Sequence, residues 1–339
     1  MTWLTSGIST IDFHTAGEPF RIVEHGFPDI EGATVAEKRV YAQNTSEIDV
    51  VRTILCREPR GHCDMYGCFV VEPDDGADFG ALFWHNDGYS TACGHGTIAL
   101  GVWAVQSGRV ASDPDGVTAV TIDVASGRVV AHVRQVAGVI LDVTFENVAS
   151  YPVRRAIGVD TSLGRVNVDV AFAGALYGSI TASELGLEVT LEHASALRTI
   201  GREIKWALND SDVSRHPTDP RLSGIYGTII FDDLGETPEG AHQRNVTVFA
   251  DGRIDRSPCG SGTAARLALL AGEGRMLEGD VLIHDSIIDT RFIGRFRPAP
   301  GYETSGAIIA SVQGMAYETG RSHFTLDPSD PLGPGFELS

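Results

Sequence analysis

The chain has 339 residues, 42% of them hydrophobic, and a formal net charge of −19. That composition is globular, with room for one large domain or two ordinary ones, and its acidity disfavours nucleic acid and acidic membrane surfaces as partners. The longest apolar run, residues 98–105, is too short to span a bilayer, and the opening stretch MTWLTSGISTIDFH has no basic or apolar leader region, so a cytoplasmic protein with no membrane partner is expected.

The elements, taken in chain order, are mostly strands rich in Val, Ile, Thr and Phe and separated by Gly, Asp or Pro. A strand over residues 80–85 leads into a helix over about 94–106. Strands follow over 117–124, 128–133, 139–145 and 167–171, then a helix over about 191–208. Strands over 227–231 and 245–249 precede a last helix, about 260–270, which stops before the turn Gly272-Glu273-Gly274.

Five cysteines, Cys56, Cys63, Cys68, Cys93 and Cys259, form an odd set that favours free thiols in a reducing compartment. Cys56 and Cys68, in or beside apolar strands, read as small buried hydrophobes. His62 and Cys63, with Cys56 and Cys68 nearby, raise a metal cluster as an alternative, but the spacings are not those of a zinc finger or ribbon. The only lysines are Lys38 and Lys205, and neither stands where a Schiff-base cofactor would be expected.

The most informative feature is a repeat. Cys93-Gly94-His95-Gly96-Thr97-Ile98-Ala99 and Cys259-Gly260-Ser261-Gly262-Thr263-Ala264-Ala265 share C-G-x-G-T-x-A, and each opens an apolar helix after a strand. The copies lie about half a chain length apart, which suggests two related halves, each delivering one cysteine at a helix N-terminus. A helix start offers unpaired N–H groups and a positive dipole end, which favour a thiolate and can seat a carboxylate. Two such ends face to face would set an acid and a base on opposite sides of one α-carbon. The developing carbanion would be stabilised by N–H groups aimed at the substrate carboxylate, in a site closed to water. No cofactor and no metal are required.

His95 reads either as a capping or core residue or as a partner of substrate and thiol. Asp255 reads either as a surface turn residue or as the anionic partner of a substrate ammonium. A rival from another class is a dinucleotide-binding protein, because Gly94-His95-Gly96-Thr97-Ile98-Ala99 fits G-x-G-x-x-A with Asp113 and Asp115 about twenty residues on. Few helices and a second cysteine copy argue against it. A non-catalytic anion-binding module would use the same helix ends but has no need of thiols.

Further motifs run nearly end to end: Asp12-Phe13-His14-Thr15-Ala16-Gly17-Glu18-Pro19, Glu58-Pro59-Arg60-Gly61-His62, Asp64-Met65-Tyr66-Gly67, Asn86-Asp87-Gly88-Tyr89, Asp255-Arg256-Ser257-Pro258-Cys259 and Gly314-Met315-Ala316-Tyr317. With the two cysteine motifs, the chain resembles the proline racemase family, which includes proline racemases, 4-hydroxyproline 2-epimerases and trans-3-hydroxyproline dehydratases. The resemblance implies an α/β (α+β) fold of the diaminopimelate epimerase type. Its two pseudo-symmetric halves would each be a mostly antiparallel sheet wrapped around a central helix. The first half would cover residues 1–160 with Cys93, the last ~15 residues of the chain returning to it, and the second would cover 161–325 with Cys259. It implies Cys93 and Cys259 as the acid/base pair, Gly94, His95, Gly260 and Ser261 around the substrate carboxylate, and Asp255 at the imino nitrogen. The substrate would be a small imino acid of the proline type, with no cofactor, no metal and no nucleic acid, and homodimers are common in such families.

Within the family, His85-Asn86-Asp87-Gly88-Tyr89 looks most like the dehydratases, which typically carry Thr or Ser in place of the second cysteine. This chain keeps Cys259, and its Gly94-His95 pair matches the epimerase style. The resemblance therefore points first to a 4-hydroxyproline 2-epimerase, with the dehydratase and the strict proline racemase as alternatives.

Overall fold

Two helices buried along almost their whole length dictate the architecture, because such a helix must be surrounded. The computed structural model describes residues 7–302 and 306–337; residues 1–6, part of the stretch read for a leader, lie outside the described residues. A first pair of strands, β1 (Ile8–Thr15) and β2 (Glu18–His25), is followed by helices α1 (Val35–Asn44) and α2 (Ser46–Cys56). Then come β3 (Tyr66–Val71), β4 (Phe79–His85), β5 (Gly88–Tyr89), helix α3 (Gly94–Gln106), β6 (Val117–Val124), β7 (Gly127–Val136) and the long β8 (Val139–Thr161). The same pattern returns with β9 (Gly164–Phe172), β10 (Leu176–Thr181), α4 (Ala194–Asn209), β11 (Ile225–Thr237), β12 (Gly240–Phe249) and β13 (Arg253–Ile254). It closes with α5 (Gly260–Gly272), β14 (Leu282–Ser286), β15 (Arg291–Pro298), β16 (Ile308–Gly314) and β17 (Ala316–Phe324).

The strand pairing repeats step for step. β1 pairs antiparallel with β2, β2 parallel with β3, β3 antiparallel with β4, and β4 parallel with β6, which continues antiparallel through β7 to β8. Likewise β9 pairs antiparallel with β10, β10 parallel with β11, β11 antiparallel with β12, and β12 parallel with β14, which continues antiparallel through β15 to β16. Each half is thus a mostly antiparallel sheet with two parallel contacts at matching places. The halves are stitched by exchange. The second part of β8, from Tyr151, pairs with β9, and β17 pairs with β1, while the first part of β8 pairs with β16.

Helix α3 is buried from Gly94 to Ala104 and packs with Phe20, Ile22, Phe83, Val120 and Phe145, while α5 is buried from Gly260 to Leu270 and packs with Tyr177, Ile229 and Ala310. The outer faces of the sheets are covered by amphipathic helices. Leu197, Ile200, Ile204 and Leu208 of α4 sit three or four residues apart, and so lie on one helix face, against Val168, Val170, Val246 and Val248. Sheets covered on both faces can hold the parallel strand contacts seen here. Among the described residues no helix is long and apolar enough to cross a membrane.

The expected helices over 94–106 and 260–270 and the strand over 117–124 match α3, α5 and β6 closely. Two features differ. Helices α1 and α2 have no counterpart in the sequence expectations, and Cys56 lies at the end of α2 rather than in or beside a strand. The run Ile48, Val51, Ile54, Leu55 has helical spacing but β-favouring residues, and burial against Phe69, Leu82 and Trp84 decides in favour of the helix. The strand expected over 139–145 extends to Thr161, because β16 and β9 supply pairing partners that local sequence cannot reveal.

The central helices meet end to end. A Cβ on Gly94 would lie 2.6 Å from Gly260 Cα, and one on Gly260 would lie 2.7 Å from Gly94 Cα. Only glycine permits that approach. Gly94→Ala and Gly260→Ala should each lower stability by about 1–3 kcal/mol, read from urea unfolding. An unchanged midpoint in both variants would show that the ends are not in contact.

Candidate active site

Cys93 and Cys259 are the N-cap residues of α3 and α5. Each sulfur accepts a hydrogen bond from the N–H three residues on, Gly96 and Gly262, at 3.3 Å in both copies. Each cysteine carbonyl is held in turn by the Thr97 or Thr263 N–H. Local sequence explains this, because the glycines leave room above the first turn for a sulfur to fold back over it. A Cβ on Gly96 would lie 2.7 Å from the Cys93 sulfur.

The copies are not identical. Cys93 is extended with φ −156°, whereas Cys259 has φ +61°, a strained conformation for a residue with a side chain. It is held there from both sides. Ser257 Oγ accepts the Cys259 N–H at 3.0 Å, and the Asn245 side-chain amide donates to the Pro258 carbonyl at 3.0 Å. Asn245 also meets His284 at 2.9 Å, and His284 reaches Thr263 Oγ1 of α5 at 2.8 Å.

Both cysteines, 6% exposed, line one small cavity between the helix ends. Gly94, His95, Asp255 and Ser261 line it too, and Gly260 lies against Gly94 beside it. The structure therefore brings together the two cysteines, Gly94, His95, Asp255 and Ser261, with Gly260 packed against Gly94. The N–H groups at the two helix starts converge. Ser261 N lies 2.7 Å from where a Gly94 Cβ would be, and His95 N lies 3.2 Å from the corresponding point on Gly260. These N–H groups precede the first helical hydrogen bond and sit at two positive dipole ends of roughly half a charge each, a seat for a carboxylate. The Ser261 hydroxyl is buried beside them with no partner.

Asp255 is buried rather than a surface turn residue. Its Oδ1 accepts from the Ser257 N–H at 2.8 Å and from Ser257 Oγ at 2.7 Å, and burial pushes its carboxyl up to about 6. The His95 ring stands 3.5 Å from the Cys93 sulfur, edge-on to Tyr66 and Phe20. Burial pushes it down to about 3, so the ring is neutral at physiological pH.

The thiols behave differently from the sequence expectation. A helix end favours a thiolate, but both sulfurs are pushed well above the ordinary thiol range, first by burial. The N–H groups of Gly96 and Gly262 pull the other way and lose, and Asp255 adds to the rise at both sulfurs. In the empty cavity both are therefore thiols near neutral pH, because desolvation outweighs a single hydrogen bond and a dipole end.

Several lining residues escape the sequence. Tyr66, Tyr177, Tyr226 and Phe249 form an aromatic wall, and the Tyr226 hydroxyl reaches the Tyr66 hydroxyl at 3.1 Å across the two halves. No spacing rule could have found them, since β3, β10, β11 and β12 meet only in space. Glu18 also lines the cavity, fully buried, its Oε2 accepting from the Arg256 N–H at 2.8 Å. A place in a matching motif was the available signal for Glu18, as it was for Tyr66 in Asp64-Met65-Tyr66-Gly67.

Other candidates fall away from the site. Cys56 and Cys68 are buried in α2 and β3, and Cys63 donates to Asp64 at 3.2 Å. Among the described residues no group of three or more His, Cys, Asp or Glu side chains is arranged to hold a metal ion. Asp113 and Asp115 are exposed, and the contact of Gly94 with Gly260 leaves no space for a pyrophosphate at the start of α3.

The family model for proline racemase matches residues 10–337. A trans-3-hydroxy-L-proline dehydratase from Bacillus cereus is 39% identical over 331 residues, 97% of this chain and 98% of that one. The crystal structure of a probable proline racemase from Agrobacterium radiobacter, with bound carbonate, has a TM-score of 0.90 at 29% identity, covering 98% of this chain and 96% of that one. That of a hydroxyproline epimerase from Agrobacterium vitis, with bound trans-4-OH-L-proline, has a TM-score of 0.88 at 28% identity, covering 98% and 95%. The chain belongs to the proline racemase family, and its sheet-dominated α+β fold is of the diaminopimelate epimerase type. It is an enzyme of a family whose members are isomerases or, in the dehydratases, hydro-lyases.

Residue-resolved alkylation should find no thiolate plateau near neutrality for Cys93 or Cys259 in the empty protein, with labelling still rising above about pH 9. A plateau below pH 8 would show that the helix ends outweigh burial.

Proposed function

We propose that the protein inverts the α-carbon of a proline-type imino acid, acting as a 4-hydroxyproline 2-epimerase with Cys93 and Cys259 as acid and base. The observation that carries this reading is the pair of cysteine-capped helix ends meeting in one cavity. The substrate carboxylate takes the converging N–H groups and the Ser261 hydroxyl. The ring ammonium takes Asp255. The α-carbon then lies between the two sulfurs.

One sulfur, as thiolate, removes the α-proton. Negative charge spreads from Cα into the carboxylate, where the two helix ends stabilise it. The opposite thiol donates its proton to the other face, so the configuration inverts and the sulfurs exchange protonation states. Reverse turnover uses the same path with roles swapped. The positive ring nitrogen offsets the desolvation that holds both thiols protonated in the empty cavity, so one of them gives up its proton to solvent as the substrate binds and enters the reaction as the thiolate. The closed aromatic wall keeps water from quenching the carbanion.

Dehydration of trans-3-hydroxy-L-proline is a second reading, supported by relatives of that name at 39–40% identity. In that substrate the hydroxyl is trans to the carboxylate and so shares a ring face with the α-proton. A single sulfur could remove the proton and then protonate the departing hydroxyl. The opposite cysteine would be dispensable for that reaction and indispensable for inversion.

Nuclear magnetic resonance in deuterated water separates the readings. With 4-hydroxyproline, deuterium should enter at Cα together with inversion; with trans-3-hydroxyproline, loss of the 3-hydroxyl would mark dehydration. Cys93→Ser should reduce every α-proton reaction by about 10²- to 10⁴-fold. Cys259→Ser should abolish inversion while leaving any dehydration in place. Full-rate inversion by either variant would overturn the two-base scheme. The epimerase value of kcat/KM should fall as pH drops through about 6, because protonation of Asp255 removes the charge that faces the ring ammonium. An unchanged rate down to pH 5 would remove Asp255 from that role.

A further inference from the structure

We propose that Glu18 is a second substrate-contacting carboxylate, whose Oε1 accepts the N–H of the ring ammonium that Asp255 does not take. This rests on the imino-acid reading above. A secondary ammonium has two N–H donors, and in a cavity closed to water each needs an acceptor. Asp255 can serve one.

Two polar side-chain atoms of the cavity lining are buried without any partner: Ser261 Oγ and Glu18 Oε1. Ser261 stands at the start of α5 among the N–H groups, and its hydroxyl suits the carboxylate. Glu18 begins β2 and is fully buried. The Arg256 N–H fixes its Oε2 at 2.8 Å, which leaves Oε1 as the free end. That same backbone bond ties Glu18 to the residue after Asp255, so the two carboxyl groups stand on one side of the cavity, drawn from opposite halves of the fold.

Asp255, Arg256 and Asp64 are the charged groups that face Glu18. Burial first, and Asp255 next, push its carboxyl well above the ordinary carboxylate range. An arriving ammonium adds a positive partner at Oε1, on the far side from the Arg256 guanidinium 3.8 Å from Oε2, and any proton on the carboxyl leaves to buffer.

Glu18→Gln is diagnostic because the Arg256 N–H orients the amide. The carbonyl takes the place of Oε2, and the NH2 group, a donor, takes the place of Oε1. The test is calorimetric binding of 4-hydroxyproline or proline and of tetrahydrofuran-2-carboxylate, an analogue with an ether oxygen and no N–H. In Glu18→Gln the imino acid should bind about 10- to 100-fold more weakly, while the ether analogue binds as well as, or better than, in wild type. Unchanged imino-acid affinity, or an equal loss for both ligands, would overturn the role of Glu18 alone. If the wild-type protein binds no imino acid, the reading of the function itself fails and the proposal with it.

Discussion

The contact between two helix N-termini at Gly94 and Gly260 is the constraint on which the rest depends. Two positive dipole ends, each roughly half a charge, are pressed together with no side chain between them. That arrangement is electrostatically unfavourable when empty and favourable around an anion. It is maintained by burying both helices inside their sheets, and the cost is met by the apolar contacts that α3 and α5 make with those sheets. The exchange of strands, β17 to β1 and the end of β8 to β9, ties the two sheets so that the helix ends cannot drift apart.

Burial then sets the chemistry. The same closure that would exclude water from a carbanion holds both thiols, Asp255 and Glu18 above their ordinary values. In a site built this way the charges of the ligand help set the ionisation of the groups that meet it. It follows that the helix end does not by itself make a reactive cysteine. It gives the sulfur one N–H and a direction, while solvent access decides the protonation state.

Duplication explains much of the architecture, yet the two sites within it differ where it matters. Both cysteines cap a helix with matching 3.3 Å bonds, but Cys259 adopts φ +61° and is supported by Ser257 and Asn245 in a way Cys93 is not. Cys93 instead has His95 at its side, where the second copy has Ser261. The pocket is asymmetric as a result: the Asp255 and Glu18 carboxyl groups sit together, and the imidazole stands beside the first sulfur. A planar intermediate reached from either enantiomer can use one nitrogen site and one carboxylate site, which a strictly symmetric cavity would blur.

The sequence alone determined the central helices, the repeat, both cysteines and the family, because each is written in contiguous residues: a capping cysteine, glycines that clear the first turn, and an apolar helix behind them. It also marked His95, Asp255 and Ser261 through those same motifs. Only the tertiary structure decided that Asp255 is buried, that Glu18 faces the cavity with a free oxygen, and that Tyr66, Tyr177, Tyr226 and Phe249 form the wall, because these come from strands distant in sequence. It also decided α2 against its β-favouring composition and extended β8 to Thr161, since packing and pairing partners override local preference. The protonation of the two thiols belongs to the same class. Their motif favours a thiolate, and the surrounding fold, by removing water, reverses it.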